Sequence, residues 1–266
     1  MKPSLTFWKY PCVFICLALT ACTSRDGDLN LYSPDQDLEM GMEYDRQMAA
    51  QPESYPFLDE RQYPGPYRYL RRIVDSLIKS EAILHRDEFT WQVKIIHDDS
   101  VRNAFCTPGG YIYVYTGLIR YLESEDQLAG VIGHEIAHAD LRHSTEQLTM
   151  RFGIGLLIQL FAGDASTLAG MAGNLAGLTF SRGDESEADM MSVRYLMDSG
   201  YDPRGVARFF EKMQEEGETA GPLVFLSTHP NPENRVQRII EEWKRLGSKG
   251  GNTFAEEYEA FKQELP

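Results

Sequence analysis

The sequence predicts a mainly helical α+β fold with a small antiparallel sheet beside one central helix. Apolar residues recur every three to four positions over residues 128–141, with no proline among them, which is typical of a long helix. Residues 91–96 and 111–115 instead have the alternating or aromatic and β-branched composition of strands. We therefore expect the helix around residue 134 to organise the domain, with the sheet packed against it.

The start of the chain is typical of an export leader rather than of a folded element. Lys2 and Lys9 precede a short apolar run at residues 13–19, which is too short to span a bilayer. The run ends in Leu19-Thr20-Ala21-Cys22, which resembles the lipobox of bacterial lipoproteins. That resemblance implies cleavage after residue 21 and a lipid on Cys22. An ordinary secretory signal that is cleaved nearby is the alternative.

Cysteine use and charge limit the remaining possibilities. Cys12 and Cys16 leave with the leader and the lipid would occupy Cys22, so Cys106 has no intramolecular partner and we expect no disulfide framework. The formal net charge is −14. A chain this acidic is a poor ligand for nucleic acid, or for anionic lipid over its general surface. We expect no nucleic-acid partner, and a membrane contact that depends on the lipid.

The first half of the chain divides into a tether, two helices and two strands. Residues 22–34 are polar and predict a lipid-anchored tether, so the folded domain is expected to span residues 35–266. A helix should begin at about Asp35. Prolines between residues 52 and 66 indicate a loop, and the apolar residues within 69–77 predict a second helix.

The second predicted strand is a candidate binding element. Turn residues ending in Pro108-Gly109-Gly110 separate it from the first strand. We expect Tyr111–Tyr115 to form the edge of the sheet, where an extended peptide can add as another strand. An interior strand would show the same pattern. The candidate substrate-binding residues are therefore Gly109, Gly110, Tyr111, Ile112 and Tyr113.

The second half of the chain is predicted to be helical. Residues 150–178 are apolar and rich in glycine, but the longest apolar piece, Phe152–Ala162, contains Gln159 and is shorter than the roughly 20 residues that a span needs. We therefore favour two packed helices over a membrane hairpin. Further helices are expected at residues 184–200, from residue 203, at 232–246 and at 254–265.

The central helix contains His134-Glu135-Ile136-Ala137-His138. Histidines four residues apart project from one helical face, so both imidazoles can bind a single zinc ion. Glu135 is placed to contact a water at that ion without binding the metal. Two buried histidines that are merely hydrogen-bonded are the alternative. Ser124 and Gln127 predict a capping box at the start of this helix.

A third ligand is predicted on the helix at residues 184–200. Glu185 would complete a set of two histidines and one carboxylate, which leaves a fourth position for water. Asp189, one turn later, can accept a hydrogen bond from a ligand imidazole, whereas Glu187 should face solvent. His143 would lie on the opposite side of a continuous helix from the first histidine, so we expect it to cap the helix or to lie behind the ligands.

These motifs together resemble the HtpX-type and CAAX-protease-type zinc metallopeptidases, in particular the periplasmic lipoprotein members of that family. The likeness covers most of residues 36–240. It rests on the HEIAH motif, Glu185 with Asp189, Ser227-Thr228-His229-Pro230 with Arg235, Asn103-Ala104-Phe105, Pro108-Gly109-Gly110 and Gly117-Leu118.

The resemblance implies a gluzincin-type fold and one zinc ion per chain. It assigns His134, His138 and Glu185 to the metal, Glu135 to catalysis as the base, and Asp189 to a hydrogen bond with a ligand.

The resemblance also implies that His229 and Arg235 lie near the reacting carbonyl. Three roles for His229 remain open: a donor to the transition state, a reversible ligand at the fourth zinc position, and a structural cap. A donor to the transition state would lower turnover when removed, whereas a ligand that fills the fourth zinc position at rest would raise it. We expect the former.

The activity implied by the resemblance is that of an endopeptidase acting on proteins or peptides. The expected substrates are misfolded or unassembled proteins of a bacterial cell envelope, and the expected location is the outer membrane, facing the periplasm, through the lipid on Cys22. The alternative is an outer-membrane assembly or chaperone factor, partnered with the assembly machinery, in which peptide binding matters more than cleavage.

Overall fold

The computed structural model describes residues 22–23, 29–161, 175, 178–216, 225–230 and 234–266. The predicted leader, residues 1–21, lies outside them. The strands are β1 (Cys22–Thr23), β2 (Leu29–Asn30), β3 (Gln92–Ile96), β4 (Ala104–Thr107) and β5 (Tyr111–Tyr115). The helices are α1 (Pro34–Ala49), α2 (Pro64–Leu77), α3 (Thr116–Tyr121), α4 (Glu125–Asp140), α5 (His143–Phe161), α6 (Arg182–Ser199), α7 (Gly205–Glu216), α8 (Phe225–Thr228), α9 (Arg235–Arg245) and α10 (Ala255–Lys262).

Helix α4 is the centre of the fold, since every one of its residues is buried. It packs closely against α6 and α7, and two of its glycines explain how closely. A Cβ atom on Gly130 would lie 2.3 Å from the backbone nitrogen of Val206, and one on Gly133 would lie 2.9 Å from the Ser192 hydroxyl. Only residues without a side chain fit there, and the close approach brings α6 against the histidine-bearing face of α4.

The three-stranded sheet has the order β3-β5-β4 and is mixed rather than wholly antiparallel. Strand β4 pairs antiparallel with β5, as expected of a hairpin whose turn residues Gly109 and Gly110 have φ of 78° and 84°. Strand β3 pairs parallel with β5. The chain crosses from β3 at one edge to β4 at the other, and β5 then lies between them. The mainly helical α+β fold with a small sheet is confirmed; the pairing of β3 is the difference.

The expectation that Tyr111–Tyr115 forms an open edge is wrong. Strand β5 is central, with Tyr111 opposite Gln92 on one side and opposite Thr107 on the other, so its backbone is already paired along both edges. The predicted substrate-binding residues, Gly109, Gly110, Tyr111, Ile112 and Tyr113, therefore cannot receive an added strand. The strands at the two edges are β3 and β4, and β4 lies within residues that the sequence pattern predicts as a turn.

The folded part begins earlier than predicted. Strand β2 pairs antiparallel with β1, and the Asn30 amide donates to the Thr145 hydroxyl at 2.9 Å. The backbone N–H of Leu31 donates to the Thr149 hydroxyl at 3.1 Å, and Tyr32 is buried. Residues 29–32, which lie within the predicted tether, thus pack against α5, because polar groups of the two segments form hydrogen bonds with one another.

Helices α4 and α5 are separated by a sharp break. Arg142 has φ of 63°, the left-handed conformation that ends a helix. Its guanidinium donates to both carboxylate oxygens of Asp37 and to the carbonyl of Tyr32, which stabilises the break from α1. The helix from residue 134 is therefore not continuous through His143.

Two further expectations concern helix ends and membrane spans. Ser124 is the N-cap of α4, but its hydroxyl donates to the Asp126 carboxylate at 2.6 Å and makes no backbone cap, so the predicted capping box is wrong. Helix α5 covers the first half of the apolar segment at 150–178; most of its second half lies outside the described residues. Across the described ranges, the helices lack the length and apolar character that crossing a bilayer requires.

Candidate active site

Four side chains converge between α4, α6 and the end of α8. His134, His138, Glu185 and His229 are buried, and each offers one ligand atom so that all four atoms lie within 4.8 Å of one another. The Nε2 atoms of the two α4 histidines are 3.0 Å apart. Glu185 Oε1 lies 3.4 Å from His138 Nε2, and Glu185 Oε2 lies 3.5 Å from His134 Nε2. The structure thus brings together the three residues that the sequence proposed as metal ligands.

The donor set fits a metal ion. Glu135 Oε1 is buried without a hydrogen-bond partner among the described residues, which is costly unless a ligand or cation completes it. Burial by itself would lower the pKa of His134, but hydrogen bonds with Asp189 and Glu185 raise it to about 9. The site therefore stabilises positive charge beside His134. Two imidazoles and a carboxylate are the ligand types of a catalytic zinc site.

Asp189 lies where the sequence predicted a carboxylate behind a ligand. Its Oδ1 is 3.0 Å from His134 Nδ1, so the ring nitrogen that faces away from the cluster has an acceptor. Such a hydrogen bond fixes the tautomer and orientation of a ligand histidine.

Arg235 holds that carboxylate in place. It donates from Nε to Asp189 Oδ2 at 2.5 Å and from Nη2 to Asp189 Oδ1 at 2.8 Å, and its Nη2 is 3.0 Å from Glu185 Oε2. The guanidinium lies 3.9 Å from the centre of the Phe210 ring. Arg235 thus contacts two of the proposed ligands directly, with its Nη2 also 3.2 Å from His134 Nε2, and it is not among the described residues that line the neighbouring cavity.

His229 is in the cluster itself. Its Nδ1 lies 2.9 Å from Glu185 Oε1 and 3.3 Å from His134 Nε2, and its ring stacks on Phe225 with centroids 4.4 Å apart. As a fourth ligand, His229 would occupy the position that a catalytic metal keeps for water. Of the roles left open by the sequence, this geometry favours a ligand that closes the site at rest.

Glu135 faces a cavity of about 310 Å³ beside the cluster. Burial raises the pKa of Glu135, and nearby histidines oppose that rise. A buried carboxylate with a raised pKa suits a general base. The described residues that line this cavity are Tyr44, Tyr55, Asn103, Phe105, Cys106, Thr107, Tyr115, Glu135, Ser144, Leu175, Leu178, Phe180, Ser227, Thr228 and His229.

Several contacts at the site were not found from the sequence. Phe180 stacks on His138 with ring centroids 3.9 Å apart, and it lies at the end of a glycine-rich segment with no periodic signal. His143 is not opposite the ligands, because the break at Arg142 turns its ring back to within 2.9 Å of His138. Glu187, expected to face solvent, lies 3.5 Å from His143.

Comparison with known proteins agrees with this geometry. The model of the family described as Peptidase family M48 matches residues 64–243. The mitochondrial metalloendopeptidase OMA1 of Schizosaccharomyces pombe is 29% identical over 215 residues, which is 77% of this chain and 62% of that protein. The beta-barrel assembly-enhancing protease of Yersinia pestis is 32% identical over 219 residues, covering 77% of this chain and 43% of that protein.

A further relative is the beta-barrel assembly-enhancing protease of Escherichia coli K12, which is 30% identical over 216 residues, or 76% of this chain and 42% of that protein. The chain thus spans less than two thirds of the length of each of these relatives. The matched region contains both histidines of α4, Glu185 and Arg235. The resemblance to a zinc metallopeptidase family is confirmed.

Proposed function

This chain belongs to peptidase family M48, and from that premise we propose that it is a zinc-dependent endopeptidase. The observation that carries the proposal is the convergence of His134, His138 and Glu185 on one point, with the carboxylate of Glu135 beside them at the wall of a cavity. A metal bound only for stability would need neither a neighbouring base nor an approach for substrate.

The residues divide the reaction among them. A zinc ion held by the three ligands would supply the Lewis acidity that lowers the pKa of water toward about 7 and polarises a peptide carbonyl. Glu135 takes a proton from the attacking water and delivers it to the leaving amine nitrogen as the peptide bond breaks. Asp189, held by Arg235, keeps His134 oriented with Nε2 toward the metal. His229 must move away before water and substrate can enter.

The substrate backbone has a place to dock on β4. Strand β4 pairs with β5 along one edge, and its residues Phe105, Cys106 and Thr107 line the same cavity as Glu135. The Asn103 amide oxygen and the Thr107 hydroxyl, at the two ends of the strand, are buried without a hydrogen-bond partner among the described residues. An extended peptide that adds to this edge would supply the missing partners and pass its carbonyl close to Glu135.

The cellular assignment is likewise a proposal. The named relatives include proteases that enhance beta-barrel assembly, and on that basis we infer that the substrates are misfolded or unassembled cell-envelope proteins. The lipid on Cys22 would anchor the chain to the outer membrane, facing the periplasm. The same names support a second candidate, an assembly factor for which binding an extended strand on β4 matters more than cleaving it.

Degradation assays separate the two candidates. Purified protein would be incubated with casein and with an unfolded β-barrel protein, with and without a zinc chelator, beside Glu135→Gln. A protease loses degradation with the chelator and with Glu135→Gln and regains it when zinc is restored. Capture of the unfolded barrel without cleavage by zinc-loaded wild type would favour the assembly factor and contradict the endopeptidase.

A further inference from the structure

The Nδ1 atoms of the two α4 histidines, His134 and His138, have different hydrogen-bond partners. His134 Nδ1 has a carboxylate next to it, Asp189, at 3.0 Å. His138 Nδ1 instead lies 2.9 Å from the Nδ1 of another histidine, His143, whose Nε2 lies 3.5 Å from Glu187 Oε2. His138 and His143 are almost completely buried, whereas Glu187 is about one quarter exposed. A chain of three groups therefore runs from the metal site to the protein surface.

Metal binding by His138 would fix the proton positions along this chain. His138 Nε2 faces Glu185 and His134, so with a metal held there it would present its lone pair to the metal and carry its proton on Nδ1. That proton points at His143 Nδ1, which must accept it. With Nδ1 as the acceptor, His143 has its N–H on Nε2, which lies 3.5 Å from Glu187 Oε2. Each donor has one acceptor, and no tautomer is left in conflict.

The backbone is built to bring His143 to this position. If α4 continued, His143 would lie five residues beyond His138, far around the helix. The left-handed conformation of Arg142 breaks the helix, and its buried ion pair with Asp37 of α1, at 2.6 Å, holds that break. A non-glycine residue adopts this conformation only when other contacts compensate for the strain. The ion pair offsets this strain. The resulting break in the helix positions the ring of His143.

We propose that His143 and Glu187 are positioning residues that hold His138 as a metal ligand. Glu187 acts on His138 through His143, whereas Asp189 contacts His134 directly. This inference rests on the proposed function only in taking the cluster to bind zinc. Removing a partner of this kind typically costs about 10- to 100-fold in metal affinity.

The test measures zinc affinity by competition with a chromophoric chelator, using full-length protein in the Glu135→Gln background so that self-digestion does not interfere. We expect His143→Ala to bind zinc about 100-fold more weakly and Glu187→Ala about tenfold more weakly. His143→Asn, whose amide oxygen can accept from His138, should recover most of the loss. Cobalt-substituted protein should show a changed visible spectrum in His143→Ala and a near-native one in His143→Asn.

The matched control is Gln147→Ala, which removes a 2.8 Å hydrogen bond from α5 to Asp184 of α6, the same two helices, without touching a ligand histidine. Equal zinc affinity in Gln147→Ala and His143→Ala would overturn the relay, as would equally weak binding by His143→Ala and His143→Asn. If His143→Ala fails to fold, Glu187→Ala and His143→Asn decide the matter. Failure of the parent protein to bind zinc would instead refute the proposed function.

Discussion

Replacing His229 with alanine should increase peptide hydrolysis, because this side chain fills the fourth corner of the donor cluster. Its Nδ1 contacts Glu185 Oε1 at 2.9 Å, and its ring stacks on Phe225 at a separation of 4.4 Å between centroids. With a metal bound by the other three residues, the ring would lie where water must enter. The first step of the reaction is then its displacement.

The size of the effect follows from these two contacts. A hydrogen bond to a charged group contributes about 1.5 to 3 kcal/mol, and an aromatic stack about 0.5 to 1.5 kcal/mol. Displacing the ring thus costs about 2 to 4.5 kcal/mol, which reduces the competent fraction by about 30- to 2,000-fold. Some of this cost is recovered by new contacts of the displaced ring, so we expect kcat/KM for His229→Ala to rise at least about tenfold.

The assay uses a short quenched-fluorescence peptide at saturating zinc, with metal content measured on the same samples. His97→Ala, which removes an exposed histidine in the loop after β3, controls for the loss of an imidazole as such. A fall of two to three powers of ten with zinc retained would refute the reasoning, because that is the cost of losing a donor to the transition state. Unchanged activity would mean that His229 neither blocks nor assists.

Three further substitutions test the remaining assignments. Glu135→Gln should retain zinc by elemental analysis and lose about two to four powers of ten in turnover, since only the base is removed; near-normal turnover would contradict the mechanism. Glu185→Ala should lose the metal after dialysis, whereas Asp184→Ala, one residue earlier on the same helix, should keep it; zinc at full occupancy in Glu185→Ala would show that this carboxylate is not a ligand. Cys22→Ser should leave the protein in the soluble fraction after a high-salt wash, because the lipid would be missing, and membrane retention of that variant would contradict the anchor.

The parts of the site that the sequence predicts are those set by local helical geometry. His134 and His138 lie one turn apart on α4, and Glu185 and Asp189 lie one turn apart on α6, so spacing alone places each pair on one face. Strand pairing is different, because the order β3-β5-β4 depends on where the chain crosses between strands. No local pattern distinguished the central β5 from an edge.

The break before His143 was missed for a similar reason. Residues 139–142 contain neither glycine nor proline, so the sequence shows no helix end. The break depends on Asp37, which lies about a hundred positions earlier and pairs with Arg142 inside the protein. A buried ion pair between distant residues has no periodic signal, so the sequence indicates that His143 can lie behind the ligands but not that it contacts His138.

Three acidic residues of α6 contact histidines of α4 and α5, and their spacing explains how. Glu185 and Asp189 are separated by one turn and face α4, where one contacts the histidine cluster and the other contacts His134. Glu187 is two residues from each, about 200° around the helix axis, and it meets His143 at the start of α5. Helix α6 thus supports both α4 histidines from two sides at once. Because Gly133 lets α6 lie directly against α4 beside His134, a shift of this one helix would move the carboxylate ligand and the supports of both histidines together. The precision of the site then depends on how α4 and α6 dock as much as on its ligands.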